Sequence, residues 1–106
     1  MLHLFVVDTL RVLVRLFTTL REIVGKREEM LEFPDGETVT VEKVLRKLAE
    51  LYGEGFTEYV YYGKTGEVKE FLQFLINGRS ASTMKGLKTE LEDGDVLAIL
   101  PPVGGG

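Results

Sequence analysis

Cysteine is absent from the 106-residue chain, so disulfides, thiolate nucleophiles and cysteine-bearing metal sites are excluded together. A reducing compartment is thereby permitted. Histidine occurs once, at His3, which removes histidine-based acid–base relays and His-rich metal sites and suggests a surface or edge position for that residue. Positive charge is in short supply: Lys and Arg total 13 against 17 Asp and Glu, a net charge of −4 with pI near 5.0. A polyanion would meet net repulsion unless the fold made a local basic patch. The cations are mostly scattered singly, with Lys26-Arg27 an adjacent pair in a turn, so neither a basic patch nor a nucleic-acid partner is expected. Long apolar runs are missing too. The stretch Met1 to Val7 has no basic leader and is cut by Asp8 and Arg11, short of a signal core or membrane span. A cytoplasmic protein without a membrane partner is the expectation.

Motifs that carry chemistry are equally sparse. Gly63-Lys64-Thr65 resembles the end of a phosphate-binding loop, but Glu58 stands where that motif needs its first glycine. Glu92, Asp93 and Asp95 lack the spacing of a calcium loop and read as turn formers. Ser80 and Ser82 have no histidine partner and no nucleophile-elbow context. The residues offer no catalytic constellation and no metal site.

What the sequence does contain is a globular balance, 44% hydrophobic and 28% charged, enough for one domain with its own core. Leu10 to Phe17 alternates as a strand, with Val12, Val14 and Leu16 on one side and Arg11, Leu13, Arg15 and Phe17 on the other. Thr18-Thr19 offers a cap for a short helix to Val24, stopped by Gly25. Glu28 to Phe33 reads as a second strand, closed by Pro34-Asp35-Gly36. Helical spacing from Val41 to Tyr52, capped by Thr40 and ended by Gly53, predicts the one long helix. Gly53 to Lys69 contains four glycines and three tyrosines without clear period, and reads as an extended loop with room for a helical turn. Phe71 to Ile76 is a strand leading to the hairpin signal Asn77-Gly78, and Glu92 to Asp95 turns the chain into a last strand, Val96 to Leu100. The first and last strands, both nearly continuously apolar, are expected side by side and parallel at the centre of one mixed sheet.

That last strand runs into Pro101-Pro102-Val103-Gly104-Gly105-Gly106. Prolines without amide hydrogens end a sheet ladder and favour an extended backbone, while glycines give the least hindered chain, ending in a carboxylate with no neighbouring side chain. From Pro101 onward the segment spans roughly 20 Å when extended, enough to reach into another protein's active site.

These residues resemble the small subunit of molybdopterin synthase, the MoaD-like branch of ubiquitin-related sulfur carriers. The resemblance rests on Leu10 to Gly25, with Arg21-Glu22-Ile23-Val24-Gly25 closest to the family wording, on Ile76-Asn77-Gly78, and on Asp93-Gly94-Asp95 through Pro101-Pro102-Val103-Gly104-Gly105-Gly106. Residues Met1 to Thr9 precede the family's usual start, and the length of Gly53 to Lys69 resembles the archaeal members that also serve as protein modifiers. The resemblance implies an α+β, β-grasp (ubiquitin-like) fold of four to five strands on one main helix, with residues 1–9 as an extension, 10–100 as the domain and 101–106 as the tail. It implies a non-catalytic carrier: an adenylating, ubiquitin-activating-type enzyme uses ATP to activate the Gly106 carboxylate, and a sulfur donor leaves a thiocarboxylate there. The tail then enters the large subunit of molybdopterin synthase, whose side chains perform the catalysis. No permanently bound cofactor is implied. Phe17, Arg21 and Leu100 match the family's partner-contact positions. The alternatives are a ubiquitin-like modifier joined through Gly106 to target-protein lysines, and sulfur carriage for tRNA or thiamine.

Overall fold

The computed structural model describes residues 9–102. Five strands form one mixed sheet: β1 (Thr9–Leu16), β2 (Glu28–Pro34), β3 (Gln73–Ile76), β4 (Arg79–Ser80) and β5 (Val96–Leu100). Their order is β2-β1-β5-β3-β4. Strands β1 and β5 pair in parallel, Leu13 with Val96 through Leu16 with Ile99, and neither is an edge. The β-grasp architecture implied by the sequence is the architecture observed.

Alternation explains which face is buried. Val12, Val14 and Leu16 of β1 and Leu97 and Ile99 of β5 are at most 1% exposed, and they join Leu31 and Phe33 of β2 in a single core. The helix α2 (Val41–Tyr52) closes that core with Val41, Val44, Leu45 and Leu48, spaced to lie on one helical face. Its start is fixed by the Thr40 hydroxyl, which accepts a hydrogen bond from the Lys43 amide at 3.1 Å. At Asn77-Gly78 both residues have positive φ, the conformation that a tight two-residue hairpin turn requires.

Three expectations need correction. The short helix α1 (Thr18–Val24) is not capped by a threonine hydroxyl; its N-cap is Phe17, with no side-chain cap bond. Thr18 lies at φ 47°, because the chain must reverse sharply from β1, and this left-handed turn serves the geometry instead of hydroxyl capping. The segment after Gly53 is not a loop. Glu54–Val60 forms a third helix, α3, whose Phe56 and Val60 are fully buried at a spacing of one helical turn. Strand β3 begins at Gln73 rather than Phe71, which is an exposed residue. Beyond α3 the chain folds back through a Tyr61–Val68 bridge, so most of the expected loop is ordered against α1 and α2.

A polar cluster ties the end of α2 to the start of β2. Glu29 accepts hydrogen bonds from the Lys26 ammonium at 2.8 Å and from the Tyr52 hydroxyl. Those two bonds, Lys26 first, hold the Glu29 carboxyl below its ordinary range. Burial, and then the Glu29 hydrogen bond, push the Tyr52 phenol up. The signs make a prediction. A carboxyl depressed on folding contributes stability above its unfolded pKa and loses it as pH falls through the folded value, so the contribution should begin to decline as pH drops below about 4. A phenol raised on folding acts oppositely, and its share should fade only as pH rises beyond about 10. Tyr52→Phe should cost about 1 kcal/mol at pH 7, and Glu29→Gln should flatten the acid limb of the stability curve, both measured by chemical denaturation across pH.

Candidate tail-root docking site

The candidate site is built where β5 ends. Leu16 of β1 stands beside Ile99 of β5, so the next residues, Phe17 and Leu100, follow at the carboxyl ends of two adjacent parallel strands. Since Leu16 and Ile99 point into the core, the strand period turns Phe17 and Leu100 to the other face. Both are half-buried, as are Pro101 and Pro102.

Arg21 comes to Phe17 from α1, one helical turn on. Its guanidinium carbon lies 5.8 Å from the Phe17 ring centroid, within cation–π range, and its Nε donates to the Leu16 carbonyl at 3.4 Å. The cation therefore lies over the face of the aromatic ring, just before the chain reversal at Thr18. Around it lies a shallow depression of about 190 Å³ lined by Arg15, Leu16, Phe17, Arg21, Arg27 and Glu28.

Three arginines at one depression correct the expectation that the cations are scattered. Arg15 lies on β1, Arg21 on α1 and Arg27 in the turn before β2. Only the fold brings them together. Arg15 pairs with Glu28 at 3.2 Å, so the depression has a positive excess in a chain whose net charge is −4. Such a patch favours the approach of acidic over basic surfaces to this end of the sheet.

Other residues share this face: Leu13 is expected there from the alternation of β1 and Val96 from its place four residues before Leu100 on β5, whereas Ala98 and Leu75 escaped the sequence reading. Leu13, Val96, Ala98 and Leu75 are half-buried on the outer side of the sheet, registered Leu13–Val96 and Ala98–Leu75 across the strands. They extend the Phe17/Leu100 patch into a continuous apolar strip. The signal was available in the alternation of β5, whose outward residues Val96, Ala98 and Leu100 are apolar where a solvated face would be polar, whereas the outward Leu13 of β1 and Phe17 just after it alternate with Arg11 and Arg15.

The sequence-based candidates thus divide in two. Phe17, Arg21, Leu100, Pro101 and Pro102 come together at the end of β5. Val103, Gly104, Gly105 and Gly106 lie outside the described residues, as do His3 and the upstream segment to Asp8. Among the described residues no cluster of three His, Cys, Asp or Glu could hold a metal ion, and no helix is long and apolar enough to cross a membrane.

Comparison with known proteins gives the same frame. The family model described as the ThiS family matches residues 14–106. Small archaeal modifier protein 3 of Haloferax volcanii is 38% identical over 92 residues, covering 87% of this chain and 95% of that protein. The crystal structure of SAMP1 from Haloferax volcanii superposes with a TM-score of 0.76 at 31% identity, covering 91% of this chain and 99% of that one. A Pyrococcus furiosus structure, provisionally assigned as molybdopterin converting factor subunit 1, superposes with a TM-score of 0.67 at 26% identity, covering 89% of this chain and 99% of that one. A sheet with parallel central strands, an apolar strip at the end of the last strand, and a family match that runs through the terminal glycines converge on one conclusion: this chain belongs to the ThiS family of ubiquitin-like, β-grasp proteins, as a sulfur carrier or a small modifier.

Proposed function

We propose that the chain is a sulfur carrier of the molybdopterin-synthase small-subunit type, acting through the Gly106 carboxylate. The observation that carries this reading is the direct run of β5, an interior strand, into Pro101-Pro102 beside Phe17 and Arg21. A rigid strand aims the tail, and the adjoining patch gives a partner something to grip. In the first step the carboxylate oxygen attacks the α-phosphorus of ATP on an adenylating partner, releasing pyrophosphate. A hydrosulfide-equivalent donor then attacks the acyl carbon, AMP leaves, and a thiocarboxylate remains. Delivery of that sulfur to a pterin precursor takes place in the large subunit, which supplies the catalytic side chains.

Ordering the three terminal glycines in a partner's channel costs about 1–2 kcal/mol of backbone entropy per residue, and the tail-root patch must offset that cost. Phe17→Ala, Arg21→Ala and Leu100→Ala should each weaken binding to the activating enzyme or large subunit by about 1–3 kcal/mol, measured by calorimetry. The melting temperature of Phe17→Ala should change little. Unaltered affinity in all three variants places the docking surface elsewhere.

The modifier reading has an observation of its own, the similarity to small archaeal modifier protein 3. Both uses share adenylation and diverge afterwards. Mass spectrometry of the protein from its native cells decides between them: a thiocarboxylate supports the carrier, and a Gly106–lysine isopeptide supports the modifier.

A further inference from the structure

We propose that the outer edge of β2, unpaired among the described residues, is a second docking site, which takes an extended segment of a partner protein bearing two cations around one apolar residue. The hydrogen-bonding phase of the sheet carries the argument. The Leu16 amide donates to the Arg27 carbonyl at 2.8 Å, while Leu13 donates to Asp95 and Gly94 donates to Arg11, both on the β5 side. Even-numbered residues of β1 therefore bond toward β2, and odd-numbered ones toward β5. Their antiparallel partners Glu29, Leu31 and Phe33 use their amides and carbonyls internally, so Glu28, Met30 and Glu32 turn theirs outward. No backbone partner for these three amides occurs among the described residues.

The same three residues face away from the core. Met30 is 49% exposed, with Glu28 and Glu32 on either side of it along the strand. Each carboxylate already has one arginine from β1, Arg15 at 3.2 Å and Arg11 at 3.4 Å. A carboxylate accepts about four hydrogen bonds, so each has capacity for a second cation arriving from the open side. Between this edge and α2 a groove of about 420 Å³, lined by Glu32 and Phe33 of β2 and by acids and cations in mixture, Glu42, Lys43, Arg46 and Glu50 among them, leaves room for the alternate side chains of an added strand.

Charge selects the occupant. A second copy paired antiparallel through β2, centred on Met30, would set Glu28 against the partner's Glu32 and the reverse, and like charges directly opposite are destabilising. Acids at this edge repel self-pairing and acidic strands but attract a strand of the pattern cation, any, apolar, any, cation. The edge is two strands from β5, so such a segment could dock while the tail is engaged elsewhere. The proposal does not depend on what the tail carries.

The test is nuclear magnetic resonance titration of the isotope-labelled full chain with the peptide Thr-Lys-Thr-Val-Thr-Lys-Thr. The amides of Glu28, Met30 and Glu32 should shift and gain protection from solvent exchange. The charge-reversed peptide, Glu replacing Lys, should bind at least about tenfold more weakly, because two attractive cross-strand pairs become repulsive. Met30→Pro deletes the central outward donor but leaves the internal bonds of Glu29 and Leu31, and should abolish the titration. Should that variant lose its fold, the doubly substituted Glu28→Lys/Glu32→Lys chain gives an independent answer: its preference should invert to the acidic peptide. Edge amides that do not respond at millimolar peptide, equal affinity for both peptides, or shifts that depend on protein concentration alone would each overturn the proposal.

Discussion

Phe56→Ala should lower stability by about 3–5 kcal/mol, a drop of ~15–30 °C in melting temperature for a domain of this size. The ring is fully buried in α3, a helix of seven residues and too short to persist without tertiary contacts. Removing the ring deletes one of the two buried anchors of α3, Val60 being the other. Neighbouring Gly55 already sits close to α1, where an added Cβ would lie 3.4 Å from the Ile23 side chain, so rigid-body collapse of α3 into the void has little room. Thr57→Ala is the matched control: Thr57 is exposed, its hydroxyl bonds only to the Gly53 carbonyl at 3.0 Å, and its loss should change stability by less than about 1 kcal/mol. Guanidinium denaturation of the pair reads the difference. Near-equal stabilities would mean that α3 is an appendage and not part of the cooperative core.

That helix is also where sequence reasoning fell short, for a physical reason. Strand β1 is legible because its inward residues, Leu10, Val12, Val14 and Leu16, are all apolar and alternate with the outward Arg11, Leu13 and Arg15. Helix α2 is legible because four buried residues repeat at helical spacing over twelve positions. Helix α3 offers only Phe56 and Val60 as periodic signal, and Gly53 and Gly55 lower its local propensity. Gly53 in fact punctuates, ending α2 and starting α3 at φ 74°. The parallel pairing of β1 and β5 could be expected from their apolar composition, and with it the placement of Phe17 beside Leu100. The arginine cluster could not, since Arg15, Arg21 and Arg27 are brought to one depression by a strand, a left-handed residue at Thr18 and a helix-ending glycine at φ 82°. Single-residue conformations decide such convergence, and no periodicity announces them.

Deleting Gly105-Gly106 should abolish ATP-dependent charging of the chain while leaving its stability unchanged. Among the described residues the buried core lies between Val12 and Ile99, and removing two glycines deletes no side chain that could pack against it. On the carrier reading the chemistry depends on them wholly, since both the adenylate and the thiocarboxylate form at the terminal acyl carbon. Truncation withdraws that carbon by roughly 7 Å, beyond reach of an α-phosphate bound in a partner's active site, while the Phe17–Arg21 patch still docks at its former place. Affinity for the partner should therefore fall far less than turnover, the mark of an interaction used in the reacting complex rather than in docking. Gly106→Val should fail by another route: the tail keeps its length, but a β-branched side chain crowds the carbonyl under attack and restricts the backbone beside it. Intact-mass measurement of the terminal acid and thiocarboxylate, with the cognate adenylating enzyme, ATP and a sulfur donor, reads both variants. If the truncated chain is charged as efficiently as the full one, or if the full chain accepts no adenylate from any activating enzyme of its own cell, the carrier and modifier readings fall together, because both begin with that step.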